Sequence, residues 1–110
     1  MTLVYLAGPM SGYPLHNFPA FDDAAAALRA AGHVVVSPAE IDRADGFDPA
    51  DTLPPERYGD FLRRSIRAML DCEAIALLPH WEASKGAWLE FQIAKAIGMP
   101  VVPIPREGAA

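Results

Sequence analysis

Four short apolar runs, ended by turn residues and separated by helical stretches, constrain this chain more than any other feature. Thr2 to Ala7 is β-branched and aromatic and stops at Gly8-Pro9, His33 to Ser37 stops at Pro38, Ala74 to Leu78 carries no polar interruption, and Val101 to Ile104 closes the series. Each reads as a short strand, and an unbroken apolar strand is expected where both faces of a sheet are covered. Between the first two runs, Asn17-Phe18-Pro19 marks a helix start with Asn17 as N-cap and Pro19 in the first turn. Phe21, Ala25 and Leu28 then keep helical spacing, and Gly32 supplies the stop. A second helix is expected from Glu56 to Leu70, where Leu62, Ile66 and Met69 form a stripe widened by Phe61 and Leu70. A third runs from Ser84 to Ile97 and is closed by Gly98. Ala39 to Pro55, with mixed charge, Gly and several Pro, reads as a loop lying over one end of the sheet, and loops of this length are often functional. The tail, Pro105 to Ala110, is expected to fray. The order β-α-β-α-β-α-β predicts an α/β fold, a parallel sheet of about four strands with helices on both faces and right-handed crossovers.

At 110 residues the chain fits one domain, residues 1–110, so the whole function is expected inside it. A hydrophobic content of 52% with 21% charged residues is that of a soluble globular protein, and no apolar run approaches the ~20 residues of a bilayer span. Met1 to Leu6 lacks the basic start of a signal peptide, so the expected location is the cytoplasm, with no membrane partner. A formal charge of -5 argues against binding a nucleic-acid polymer, and Arg63, Arg64 and Arg67 read as the exposed side of a helix. The single cysteine, Cys72, excludes an intramolecular disulfide and reads as a buried structural thiol. His16, His33 and His80 have no paired ligand spacing, so neither a metal nor another cofactor is expected.

In an open parallel sheet, ligands sit beyond the carboxyl ends of the strands where the strand order reverses. That rule selects Gly8-Pro9-Met10-Ser11-Gly12, Pro38-Ala39-Glu40, and the segment from His80 to Gly86. The first is neither a dinucleotide fingerprint nor a P-loop. Ser84-Lys85-Gly86 opens a helix with a hydroxyl, a lysine and free N-H groups, which favours an anion, although Ser84 also reads simply as an N-cap. Glu90 follows on the face shared by Ala87, Ile93, Ala94 and Ile97, so its carboxylate points toward the sheet or the cleft above it. Such a group needs hydrogen-bond donors or a role; a partly buried Glu bonded to an amide or to Tyr5 is the plain alternative. Ser65 borders the buried side of its helix. His80 is either an acid-base group or a surface residue, Trp81 either stacks on a base or sugar or caps the core, and Asp60 and Asp71 read as solvated helix charges.

The combination of Tyr5 to Gly12, Asn17 to Phe21, Ser37 to Glu40 and Leu77 to Ala87 followed by Glu90 resembles the nucleoside 2-deoxyribosyltransferase superfamily, in particular a short branch of it. The resemblance spans nearly the whole chain and implies a single-domain Rossmann-like or flavodoxin-like sheet. It implies Glu90 as the nucleophile that attacks the anomeric carbon of a 2-deoxyribosyl N-glycoside, with Tyr5 holding the nucleophile or the sugar. Gly8, Met10, Ser11, Gly12, Ser84 and Gly86 match positions lining the ribose and a 5'-phosphate, and Pro9, Asn17, His80 and Trp81 complete the expected substrate contacts. Ser65 departs from the pattern: related sequences usually carry an aspartate after the two arginines, and a serine hydroxyl is no general acid near neutral pH.

The expectation is an enzyme that cleaves or exchanges the base of a 2-deoxynucleoside or its 5'-monophosphate through a covalent glycosyl-Glu90 intermediate, with hydrolysis favoured over transfer. Loss of the aspartate at Ser65 leaves a second reading, a weakly active or non-catalytic nucleotide-binding module. The resemblance also implies a homodimer or higher homo-oligomer, with Trp88, Phe91 or Tyr58 at the interface.

Overall fold

The computed structural model describes residues 2–51 and 53–105. The first strand, β1 (Leu3–Ala7), leads through a 3-10 turn into helix α1 (Phe18–Ala30). Strand β2 (Val34–Val36), helix α2 (Pro38–Ala44), helix α3 (Tyr58–Leu70), strand β3 (Ala74–Leu77) and helix α4 (Lys85–Ala96) follow. The three strands are parallel in the order β2-β1-β3, with Val4 opposite both Val35 and Ala74.

β1 is central, and its alternating side chains divide the core. Val4 and Leu6 point to one face, where Phe18, Phe21, Ala25 and Leu28 of α1 cover them together with Ala39 of α2. Tyr5 and Ala7 point to the other, against Met69 and Ala94 of the last two helices. Helices on both faces explain why β1 and β3 read as continuous apolar runs. Gly32 and Gly98, with φ 97° and 81°, end α1 and α4 in the left-handed geometry that a side chain resists.

Three expectations are corrected. The anticipated fourth strand, Val101 to Ile104, is reduced to a single parallel bridge between Val101 and Ile75, where the Val102 N-H donates to the Ile75 carbonyl at 2.8 Å. Pro100, Pro103 and Pro105 have no N-H to donate, so a ladder cannot propagate through this segment. The stretch from Ala39 to Pro55, read as loop, contains most of α2. Pro38 starts that helix, and Glu40 and Arg43 tie it to Arg29 and Asp22 of α1 at 2.7 and 2.8 Å. Asn17 does not cap α1 through its side chain: it is left-handed, with φ 61°, and its amide donates to the Pro9 carbonyl at 2.9 Å. Of the tail expected to fray, residues 106–110 lie outside the described residues. No helix among the described residues is long and apolar enough to cross a membrane.

The close approach of β1 to β3 gives a direct test. A Cβ added at Gly8 would stand 2.6 Å from the Leu78 Cβ, too close for any side-chain rotation to relieve. Gly8→Ala is expected to destabilise the fold by about 1–3 kcal/mol in a denaturant titration, the usual scale of core overpacking; an unchanged midpoint would show that the two strand ends separate freely.

Candidate active site

A 2-1-3 strand order puts the topological switch between β1 and β3, and a cleft opens at their carboxyl ends. Its wall is assembled from Gly8, Met10 and Ser11 after β1, Pro38 and Asp42 of α2, Tyr58, Leu62 and Ser65 of α3, Ser84 capping α4, and Gly86 and Glu90 within it. A wider outer cleft shares Ser11, His16, Tyr58 and Ser84 with it and adds Pro9, Gly12 and Lys85.

Glu90 lies at the bottom, 5% exposed, and Tyr5, fully buried, donates its hydroxyl to the Glu90 Oε2 at 2.6 Å. The Oε1 has no hydrogen-bond partner among the described residues. Burial, with a smaller contribution from the charge of Asp42, raises the Glu90 pKa to about 7, against the opposing pull of the Tyr5 bond. Tyr5 is itself pushed well above its ordinary range, first by burial and then by the Glu90 charge, while the Ser65 hydroxyl acts in the opposite direction. Ser84 caps α4, its Oγ accepting from the Ala87 N-H at 3.3 Å, and lines the cleft at the same time.

The structure therefore brings together Glu90, Tyr5, Ser65, Gly8, Met10, Ser11, Ser84 and Gly86, with Pro9 and Gly12 at the outer rim. Three other expected contacts stand apart from both clefts. Asn17 is occupied in pinning the first loop, His80 is exposed with φ 69°, and Trp81 packs its ring on Phe91 at 4.6 Å. Tyr58, expected at an interface, forms cleft wall, and its hydroxyl would meet a Gly86 Cβ at 2.8 Å. Cys72 is buried, its thiol raised to about 11 by desolvation, in line with a structural role.

Asp42 and His16 are cleft residues that the sequence reading did not single out. Asp42 is 3% exposed and accepts from Arg64 at 2.9 Å, and Arg64 also reaches Asp45 at 2.7 Å, so Arg64 is no free surface charge. Burial raises the Asp42 pKa and Arg64 opposes the shift. The signal for Asp42 was its place three residues after Ala39, on one helical face once Ser37-Pro38 is read as a helix start. His16 donates from Nε2 to the Asp51 carbonyl at 3.0 Å and meets Phe47 edge-on at 5.0 Å. It sits in a run of three left-handed non-glycine residues, Leu15, His16 and Asn17, a conformation uncommon enough that tertiary contacts must impose it.

A doubly wound parallel α/β domain with a phenol-bound carboxylate at its switch point is the class that this fold and site define. The family model described as a domain of unknown function (DUF4406) matches residues 2–103, and the chain belongs to that family. No match is found among curated proteins.

The buried carboxylate makes stability depend on pH. An ordinary carboxyl at 4.5 ionises in the unfolded chain while Glu90 keeps its proton up to about 7, so the native state binds more protons across that interval and weakens as pH rises through it. Glu90→Gln, which cannot ionise, is expected to gain about 3 kcal/mol over the parent between pH 4.5 and 7.5 and no more above. Parallel denaturant titrations of both proteins across that range measure it, and a constant difference would mean that Glu90 ionises normally.

Proposed function

We propose that this protein cleaves the N-glycosidic bond of 2-deoxynucleosides or their 5'-monophosphates through a covalent glycosyl-Glu90 intermediate, water resolving the ester more readily than a second base. The observation that carries this reading is the Tyr5-Glu90 pair: a carboxylate 5% exposed, fixed by one 2.6 Å bond to Oε2. Its Oε1 is left to attack an anomeric carbon placed in the cleft. A carboxylate stripped of most of its water is a better nucleophile than a solvated one, and a fixed oxygen loses no orientational freedom on reaction. In the first step an oxocarbenium-like sugar collapses onto Oε1 as the base departs; in the second, water displaces the carboxylate from the same carbon.

The surroundings support this ligand class. Gly8 and Gly86 line the cleft with Leu78 and Tyr58 packed where their side chains would stand, and Tyr58, Phe61 and Phe47 offer apolar and aromatic surface to a base. Lys85 and the first N-H groups of α4, at the outer cleft, suit a 5'-phosphate. The resemblance to nucleoside 2-deoxyribosyltransferases points to the same chemistry and extends it to a cytoplasmic homodimer or higher homo-oligomer, for which Trp88, 46% exposed, is the most open of the three aromatics expected there.

Glu90→Ala is expected to reduce base release from deoxynucleosides and their monophosphates by at least about 10³-fold, scored by chromatography of the free base, with an unchanged circular dichroism spectrum. Unchanged release in that variant would sink the mechanism. The nucleophile must be ionised, so kcat/KM should rise with pH through about 7 on its acid side. Tyr5→Phe removes the hydrogen bond that favours the ionised form, and the acid limb should move to higher pH; a limb that stays in place assigns it to a group other than Glu90.

A further inference from the structure

Departure of a nucleobase leaves an electron pair on the base, and near neutral pH that pair needs a proton. Glu90, acting as nucleophile, has none to give, and the Ser65 hydroxyl is not an acid in this range. Among the described residues the cleft holds two carboxyl groups, Glu90 and Asp42. Asp42 reaches it from α2, on a different wall from Glu90, and its field is felt at both Glu90 and Tyr5. It is 3% exposed, and its Oδ1 alone is bonded, to Arg64 at 2.9 Å. The Oδ2 has no partner among the described residues.

We propose, on the basis of the Glu90 reading, that Asp42 is the general acid of this site and hands its proton to the departing base through Oδ2. The C-N bond breaks with its electron pair passing into the base, the Asp42 proton moves to the base, and a lone pair of Glu90 Oε1 forms the new C-O bond. In the second half, water adds to the same carbon and gives a proton to Asp42, and the Glu90-carbon bond breaks with its pair returning to the carboxylate. Nothing beyond substrate and water is consumed.

The electrostatics favour a proton on this set of groups. Arg64 of α3 is shared between Asp42 and Asp45, so one guanidinium faces two carboxylates before Glu90 of α4 is counted. Tyr5 of β1 adds no positive charge, and His16, ahead of α1, adds one only when protonated. Two buried carboxyl groups that feel one another share the first proton; burial draws it to Glu90 and Arg64 opposes it on Asp42, so the microstate that reacts, Glu90 ionised and Asp42 protonated, is the less populated of the two singly protonated forms. His16, the other acid on the wall, has its Nε2 committed to Asp51.

The test compares 2'-deoxyguanosine with N7-methyl-2'-deoxyguanosine, whose cationic base leaves as a neutral molecule and needs no proton. Asp42→Asn, which keeps an acceptor for Arg64, is expected to lower release from deoxyguanosine by about 10²- to 10⁴-fold relative to release from the methylated substrate. An equal loss on both substrates, a loss on neither, or a selective loss in His16→Asn instead would overturn the assignment. Glu90→Gln separates the two ideas: undiminished release from the methylated nucleoside would remove the nucleophile itself, whatever Asp42 does. A parent protein that releases base from neither substrate would end both proposals.

Discussion

The bond between Tyr5 and Glu90 ties together two residues 85 positions apart, one on the central strand and one on the last helix, and much of the site depends on it. It exists because β1 alternates: Tyr5 and Ala7 face α3 and α4, while Val4 and Leu6 face α1. A one-residue slip in register would turn the phenol to the wrong layer and leave Glu90 buried without its donor. Sheet register and site chemistry are therefore the same constraint, expressed in one side chain.

That constraint also sets the electrostatics. A hydrogen bond from a neutral phenol supports the carboxylate without neutralising it, so burial dominates and the acid keeps its proton to about 7. A lysine or arginine in place of the phenol would hold Glu90 ionised but quench it as a nucleophile. Arg64 of the cleft's α3 wall is instead paired with Asp42 and Asp45 and lies over the Phe61 ring at 4.8 Å. Two carboxyl groups whose ionisation burial opposes thus stand together at the switch point.

The sequence made the central parts legible because their signals are periodic and local. The apolar runs, the Leu62-Ile66-Met69 stripe and the inward setting of Glu90 follow from spacing alone, and the structure places Glu90 among buried residues with Tyr5 as its partner. Other features depended on competition between local and distant effects. The prolines at 100, 103 and 105 outweighed the β-branched residues between them, so a strand became one bridge. Asn17 had the composition of a cap, but its amide is taken by Pro9 and its backbone is left-handed. Helix α2 has seven residues, too few for a hydrophobic period to declare itself; it is held by burial of Pro38 and Ala39 and by contacts with other helices, the Asp42-Arg64 pair among them, which spacing cannot reveal. Asp42 was hidden with it.

The same geometry gives Ser65 a physical sense. Ser65 stands on the wall beside Tyr5 and Glu90, and a carboxylate there would be a third acid in a cleft where Arg64 is already shared between Asp42 and Asp45. Each added like charge raises the pKa of its neighbours, and Glu90 would hold its proton to still higher pH. With serine at 65 and aspartate at 42, the cleft keeps two carboxyl groups on different walls, one held by a phenol and one by a guanidinium. That difference in partners sets the cost of the proposed roles: the phenol lets Glu90 keep its proton to about 7 and the guanidinium opposes one on Asp42, so the proton must pass from the first group to the second before the base can leave.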